Sequence, residues 1–93
     1  MARYVTLIRF TEQGARSIGK SADRALAFRK AAEKAGVTVE NQLWTVGSCD
    51  GVVVMSGDET GILGFVARLA GQGNVRTETL QAFDAREFKA ITG

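Results

Sequence analysis

Histidine is absent from the 93-residue chain, which removes the commonest metal ligand and the usual general base near neutral pH. Cysteine occurs once, at Cys49. No intrachain disulfide can form, and no thiolate cluster can hold zinc or an iron–sulfur centre. Without a histidine to activate it, Cys49 cannot act as a papain-type nucleophile. No apolar run approaches the ~20 residues needed to cross a bilayer. Strand-like sequence begins at Arg3, and no signal peptide is expected ahead of it. A cytoplasmic protein with no cofactor and no membrane contact is expected. Charge of one sign is also scarce. Twelve basic residues oppose ten acidic ones, for a net charge of +2. Eight arginines and four lysines are dispersed among the acids, the pattern of a solvated mixed surface and not of a nucleic-acid footprint.

What is present is ordinary globular composition, 45% apolar and 24% charged, enough for one domain over residues 1–93. A chain of this length buries only roughly 60% of its unfolded surface. Its core is thin, and a second copy would relieve the shortage.

Arg3 to Phe10 (RYVTLIRF) alternates as a strand, with Tyr4, Thr6, Ile8 and Phe10 on one face and Val5 and Leu7 on the other. Thr11 to Lys20 reads as a connection with room for one helical turn. Ser21 offers an N-cap to a helix over 22–35. Ala25, Phe28, Ala32 and Ala35 form its apolar stripe, and Gly36 stops it. Residues 37–46 and 52–56 are strands joined by Gly47-Ser48-Cys49-Asp50-Gly51, which has turn chemistry. Asp58 caps a helix running to about Gln72, with Ile62, Phe65, Val66 and Leu69 on one face. Gly61 and Gly64 within it signal either close approach to a neighbour or simple tolerance. Residues 75–83 form a last strand. Asp84 and Glu87 then have capping-box spacing, with Phe83 and Phe88 placed as a hydrophobic staple for a terminal helix.

The order β-α-β-β-α-β plus a terminal helix predicts an α+β, ferredoxin-like fold, a four-stranded antiparallel sheet with both main helices on one face. Tyr4/Ile8 against Val5/Leu7, and Val52/Val54 against Val53/Met55, make strands apolar on both sides. A sheet face left to water alternates more cleanly. The bare face is therefore expected to meet a second copy of the chain in a homodimer, with a higher oligomer left open.

The stretch Leu43-Trp44-Thr45-Val46-Gly47-Ser48-Cys49-Asp50 followed by Val52-Val53-Val54, and the run Gly73-Asn74-Val75-Arg76-Thr77-Glu78-Thr79-Leu80 leading into Ala82-Phe83, resemble the signature of the GYD family of bacterial and archaeal proteins. The resemblance covers nearly the whole chain. It implies ferredoxin-like subunits packed sheet against sheet as a dimeric α/β barrel, a superfamily of small oxygenases, dismutases, isomerase-like enzymes and pure binding modules. It implies no particular activity, since fold does not fix function. The family's Gly-Tyr-Asp tyrosine is replaced by Cys49, while Gly47 and Asp50 match. Haem held by histidine, found in some barrels of this type, is impossible here.

Five side chains are candidates for a ligand-binding site. Asp50, beside Cys49, is a carboxylate able to bind a small ligand or take its proton; the competing reading is a turn residue bonding its own backbone. Arg76 and Glu78 share a strand face, either lining a pocket under the helices or pairing across an interface. Trp44 either stacks on a planar ligand or fills core or interface space with its N–H bonded.

The leading expectation is a homo-oligomeric module that is structural or binds a small ligand without turnover. The alternative is a cofactor-independent, monooxygenase- or isomerase-like enzyme for a small hydrophobic or aromatic compound. That alternative requires a cavity of about 300 Å³ or more touching Asp50, Arg76 or Trp44. RNA binding is disfavoured because the VVVMS strand lacks the stacking aromatics of RNA-recognition sheets.

Overall fold

The computed structural model describes residues 2–93. Its elements are β1 (Ala2–Phe10), α1 (Glu12–Arg16), a 3-10 turn (Ile18–Lys20), α2 (Ser21–Lys34), β2 (Thr38–Trp44), β3 (Gly51–Gly57), α3 (Glu59–Gly71), β4 (Val75–Gln81) and α4 (Ala85–Thr92). The strands lie in the order β2-β3-β1-β4, with each neighbouring pair antiparallel. This is the expected ferredoxin-like arrangement.

Register decides which side chains share a face. Tyr4 pairs with Met55, Thr6 with Val53 and Ile8 with Gly51, while Thr6 and Ile8 also face Thr79 and Thr77. These residues point toward the helices, where Tyr4, Val53 and Met55 join Ala32, Ile62 and Phe65 in the core. Buried Thr6 keeps its hydroxyl satisfied by Thr79 Oγ1 at 3.1 Å. The Tyr4 hydroxyl donates to Glu59 Oε1 of α3 at 2.8 Å. That bond, aided by burial, holds the phenol above its ordinary pKa.

The opposite face carries Val5 and Leu7 between Val52, Val54 and Leu80. Among the described residues, α2 and α3 both pack on the other face and leave this one open. Leu43 and Leu80 remain 58% and 44% exposed.

Three local readings are corrected. Ser21 does not cap α2: the 3-10 turn runs straight into the helix, and Lys20 at the cap position makes no side-chain bond. Ala35 falls outside the buried stripe because it is the C-cap residue. The second strand ends at Trp44 and not at Val46, which is fully exposed. Gly36 does stop α2, at φ +80°, with Val37 N–H on Ala32 O and Gly36 N–H on Glu33 O. Those two bonds are a Schellman closure.

The segment expected as a connection holds α1. Thr11 caps it, accepting from Gly14 N–H at 3.1 Å and donating to Gly73 O at 2.6 Å. Gly14 is buried against the Asn74 carbonyl, which a Cβ there would overlap. The two helical glycines of α3 differ. A Cβ at Gly61 would sit 3.2 Å from Val37 Cγ2, whereas Gly64 faces open space.

The capping box at α4 forms as expected. Asp84 Oδ1 accepts from Glu87 N–H at 2.8 Å, and Glu87 Oε1 accepts from Asp84 N–H at 2.9 Å. Glu87 also binds Arg3 Nη1 at 2.6 Å, and Arg3 reaches Glu40 at 3.6 Å. Phe83, Phe88 and Ile91 stay largely exposed. No helix among the described residues is long and apolar enough to cross a membrane.

Candidate functional site: a cavity between the helices and the sheet

Helix α2 packs on β2, and α3 packs across β4, β1 and β3. The two helices meet through Phe28 and Phe65, edge to face at a centroid separation of 5.7 Å. Between them lies a cavity of about 530 Å³, within the range of small-molecule sites. Its volume follows from small residues. Ala25, Ala27 and Ala31 of α2 form one wall, and Gly51 of β3 puts no side chain opposite Trp44. Ile8, Val53, Phe28 and Phe65 add apolar surface to it.

A line of three hydrogen bonds fixes the α2 wall. Trp44 Nε1 donates to Ser21 Oγ at 3.0 Å, Gln42 Nε2 to Ala25 O at 3.0 Å, and Arg29 Nη2 to Val39 O at 3.2 Å. Ser21, Ala25 and Arg29 are four apart, so they lie on one helix face. Val39 and Gln42 are three apart, yet both oppose inward residues, Met55 and Val53, because a bulge at Glu40 adds a residue to β2. The bulge therefore aligns the strand with the helix, and it leaves Glu40 within reach of Arg3.

Of the five candidates, the structure brings Trp44 and Asp50 to the cavity wall. Trp44 is 53% exposed, with its N–H bonded as expected but outside the core. Asp50 Oδ2 accepts from Phe10 N–H at 2.9 Å, and its own N–H donates to Ile8 O at 2.7 Å. The carboxylate thus ties the loop to β1 and not to its own backbone. Cys49 does not line the cavity; its carbonyl accepts from Thr45 Oγ1 at 2.7 Å, and its sulfur lies 3.5 Å from that hydroxyl. Arg76 and Glu78 oppose Arg9 and Leu7. This places them on the open face, away from the helices, and they do not form an ion pair with each other.

The sequence reading missed Gln42, Arg24 and Arg68. Arg24 and Arg68 line the cavity from α2 and α3, and Arg68 stands 5.1 Å from the Phe65 ring centroid. Their positions beside Phe28 and Leu69, within one turn of the apolar stripes, were the available signal. Among the described residues no three histidine, cysteine, aspartate or glutamate side chains gather at metal-binding spacing.

The family model for the GYD domain matches residues 4–92. The chain belongs to the GYD domain family. The match spans all four strands and the cavity-forming helices of this GYD domain. No match was found among curated proteins or among solved structures.

Proposed function

We propose that this GYD domain is a homodimeric cytoplasmic module that binds a small hydrophobic molecule without catalytic turnover. The cavity of about 530 Å³ beside Trp44 carries this reading. Apolar walls supply affinity at about 25 cal/mol per Å² removed from water, and the half-exposed indole offers a planar surface for stacking. Trp44 is the single tryptophan, so its emission reports the site directly. Titration with 4-butylbenzyl alcohol is expected to change that emission saturably. Ala25→Phe, which fills the wall, is expected to abolish the change. An unsaturable response that is the same in both proteins overturns the reading.

The open sheet face supports the homodimer. Val5, Leu7, Val52, Val54 and Leu80 form its apolar centre. Arg9 and Arg76 stand directly opposite each other, a like-charge pair that weakens strand pairing. Glu78 has no cation partner within the chain among the described residues. A two-fold related copy makes such a face self-complementary, bringing Glu78 toward a partner arginine.

One observation favours an enzyme as the second reading: Asp50 lines the cavity. Binding without turnover is preferred because one Asp50 oxygen is occupied by the Phe10 amide and the chain has no histidine to share proton transfer.

A further inference from the structure

We infer that the cavity selects anionic ligands, namely small apolar carboxylates whose charged end is received by Arg24 and Arg68. The inference rests on the small-molecule reading of the cavity and adds the chemistry of the head group.

Arg24 and Arg68 both line the cavity, and neither pairs with a carboxylate of the described residues. Asp50 is the single acidic residue in that wall, and it already serves the Phe10 amide. The site therefore holds two cations against one engaged anion. Arg24 is also preorganised. Its Nη1 donates to Ser17 O and Ser17 Oγ, each at 3.1 Å, which holds the guanidinium plane in place. Its Nη2 is buried and has no acceptor. An unpaired buried donor on a charged group is costly, and a ligand carboxylate that reached it would supply the missing partner. Arg68 lies over Phe65, which places its charge next to the apolar wall.

The geometry assigns the ligand's two ends differently. Phe28, Phe65 and Trp44 take an aromatic or aliphatic body, and the arginines take the acid. A neutral molecule of the same shape fills the same walls but leaves the two arginines without a counter-charge.

The test compares 4-butylbenzoate with 4-butylbenzyl alcohol, following the Trp44 indole N–H resonance by NMR. The acid is expected to bind about tenfold or more tightly than the alcohol, the effect of a charge-assisted hydrogen bond. In Arg24→Met that preference is expected to vanish while alcohol binding persists. In Arg24→Lys part of it is expected to remain. Because Arg24 helps hold the start of α2, exposed Arg68→Gln serves as the second variant, with the preference reduced several-fold in a folded protein. Equal affinities for acid and alcohol overturn the anion selectivity and leave the cavity reading standing. An acid preference that survives both Arg24→Met and Arg68→Gln also overturns it. Binding of neither compound overturns both.

Discussion

The Trp44 indole N–H donates to Ser21 Oγ at 3.0 Å, joining the last residue of β2 to the first residue of α2 at the wall of the cavity. Ser21→Ala removes the acceptor and leaves the indole tethered only by packing. Loss of one such bond is expected to cost about 1 kcal/mol in urea unfolding, with faster solvent exchange of the indole proton. Unchanged exchange contradicts the bond.

Gly14 and Gly64 predict opposite outcomes for one substitution. At Gly14 a Cβ overlaps the Asn74 carbonyl, so Gly14→Ala is expected to destabilise by about 1–3 kcal/mol or more through overpacking. At Gly64 a Cβ meets nothing within 4 Å inside a helix. Gly64→Ala is expected to stabilise by about 0.5–1 kcal/mol. Denaturation midpoints of the two variants check the pair.

The anchor of α4 depends on pH. The Asp84 amide and then the Arg3 guanidinium hold Glu87 below its ordinary pKa. A carboxyl with a lowered folded pKa binds fewer protons folded than unfolded. Its stabilisation is fully present above the unfolded value, about 4.3, and is lost as pH falls through the folded value. Glu87→Gln is expected to lower stability at pH 7 and to flatten the fall in stability on acidification. A fall as steep as that of the parent protein contradicts it.

Tyr4 acts at the alkaline end. Its pKa is raised by the bond to Glu59, so its stabilisation is complete below about pH 10 and is lost as pH rises through the folded value. Tyr4→Phe is expected to lose less stability than the parent protein between pH 9 and 12 (about three units that span the phenol's ordinary range), as measured by circular dichroism in urea.

Charge reversal tests the sheet-to-sheet homodimer. Glu78→Arg adds a third positive charge beside Arg9 and Arg76 and is expected to weaken association about tenfold or more in sedimentation equilibrium. The double variant Glu78→Arg/Arg76→Glu is expected to recover much of that loss. A monomeric parent protein contradicts the homodimer.

The fold was legible because each strand and helix carries its own period. Tyr4, Thr6 and Ile8 alternate, Ile62, Phe65, Val66 and Leu69 follow a helical stripe, and Asp84 with Glu87 announces α4 three residues apart. Long-range contacts were not legible in the same way. Gly14 looks like a flexible loop residue until the Asn74 carbonyl is placed against it, and Ser21 looks like a cap until Trp44 reaches it. The bulge at Glu40 leaves the apolar count of β2 unchanged, so nothing in the pattern marked it. The alanines of α2 read as packing, yet their small size is what opens the cavity. Arg24 and Arg68 read as solvated surface because a one-dimensional pattern does not show which parts of two helices border a cavity. Trp44 and Asp50 line the cavity, whereas sheet register, which a single strand's pattern does not reveal, puts Arg76 and Glu78 on the opposite face.

The central claim, a ligand seated between α2 and α3, is tested most directly by a crystal structure of the protein soaked with 4-butylbenzyl alcohol. The account predicts density for its ring against Phe28, Phe65 and Trp44, with the helices in place. A closed or empty space between α2 and α3, with the alcohol bound elsewhere, contradicts it.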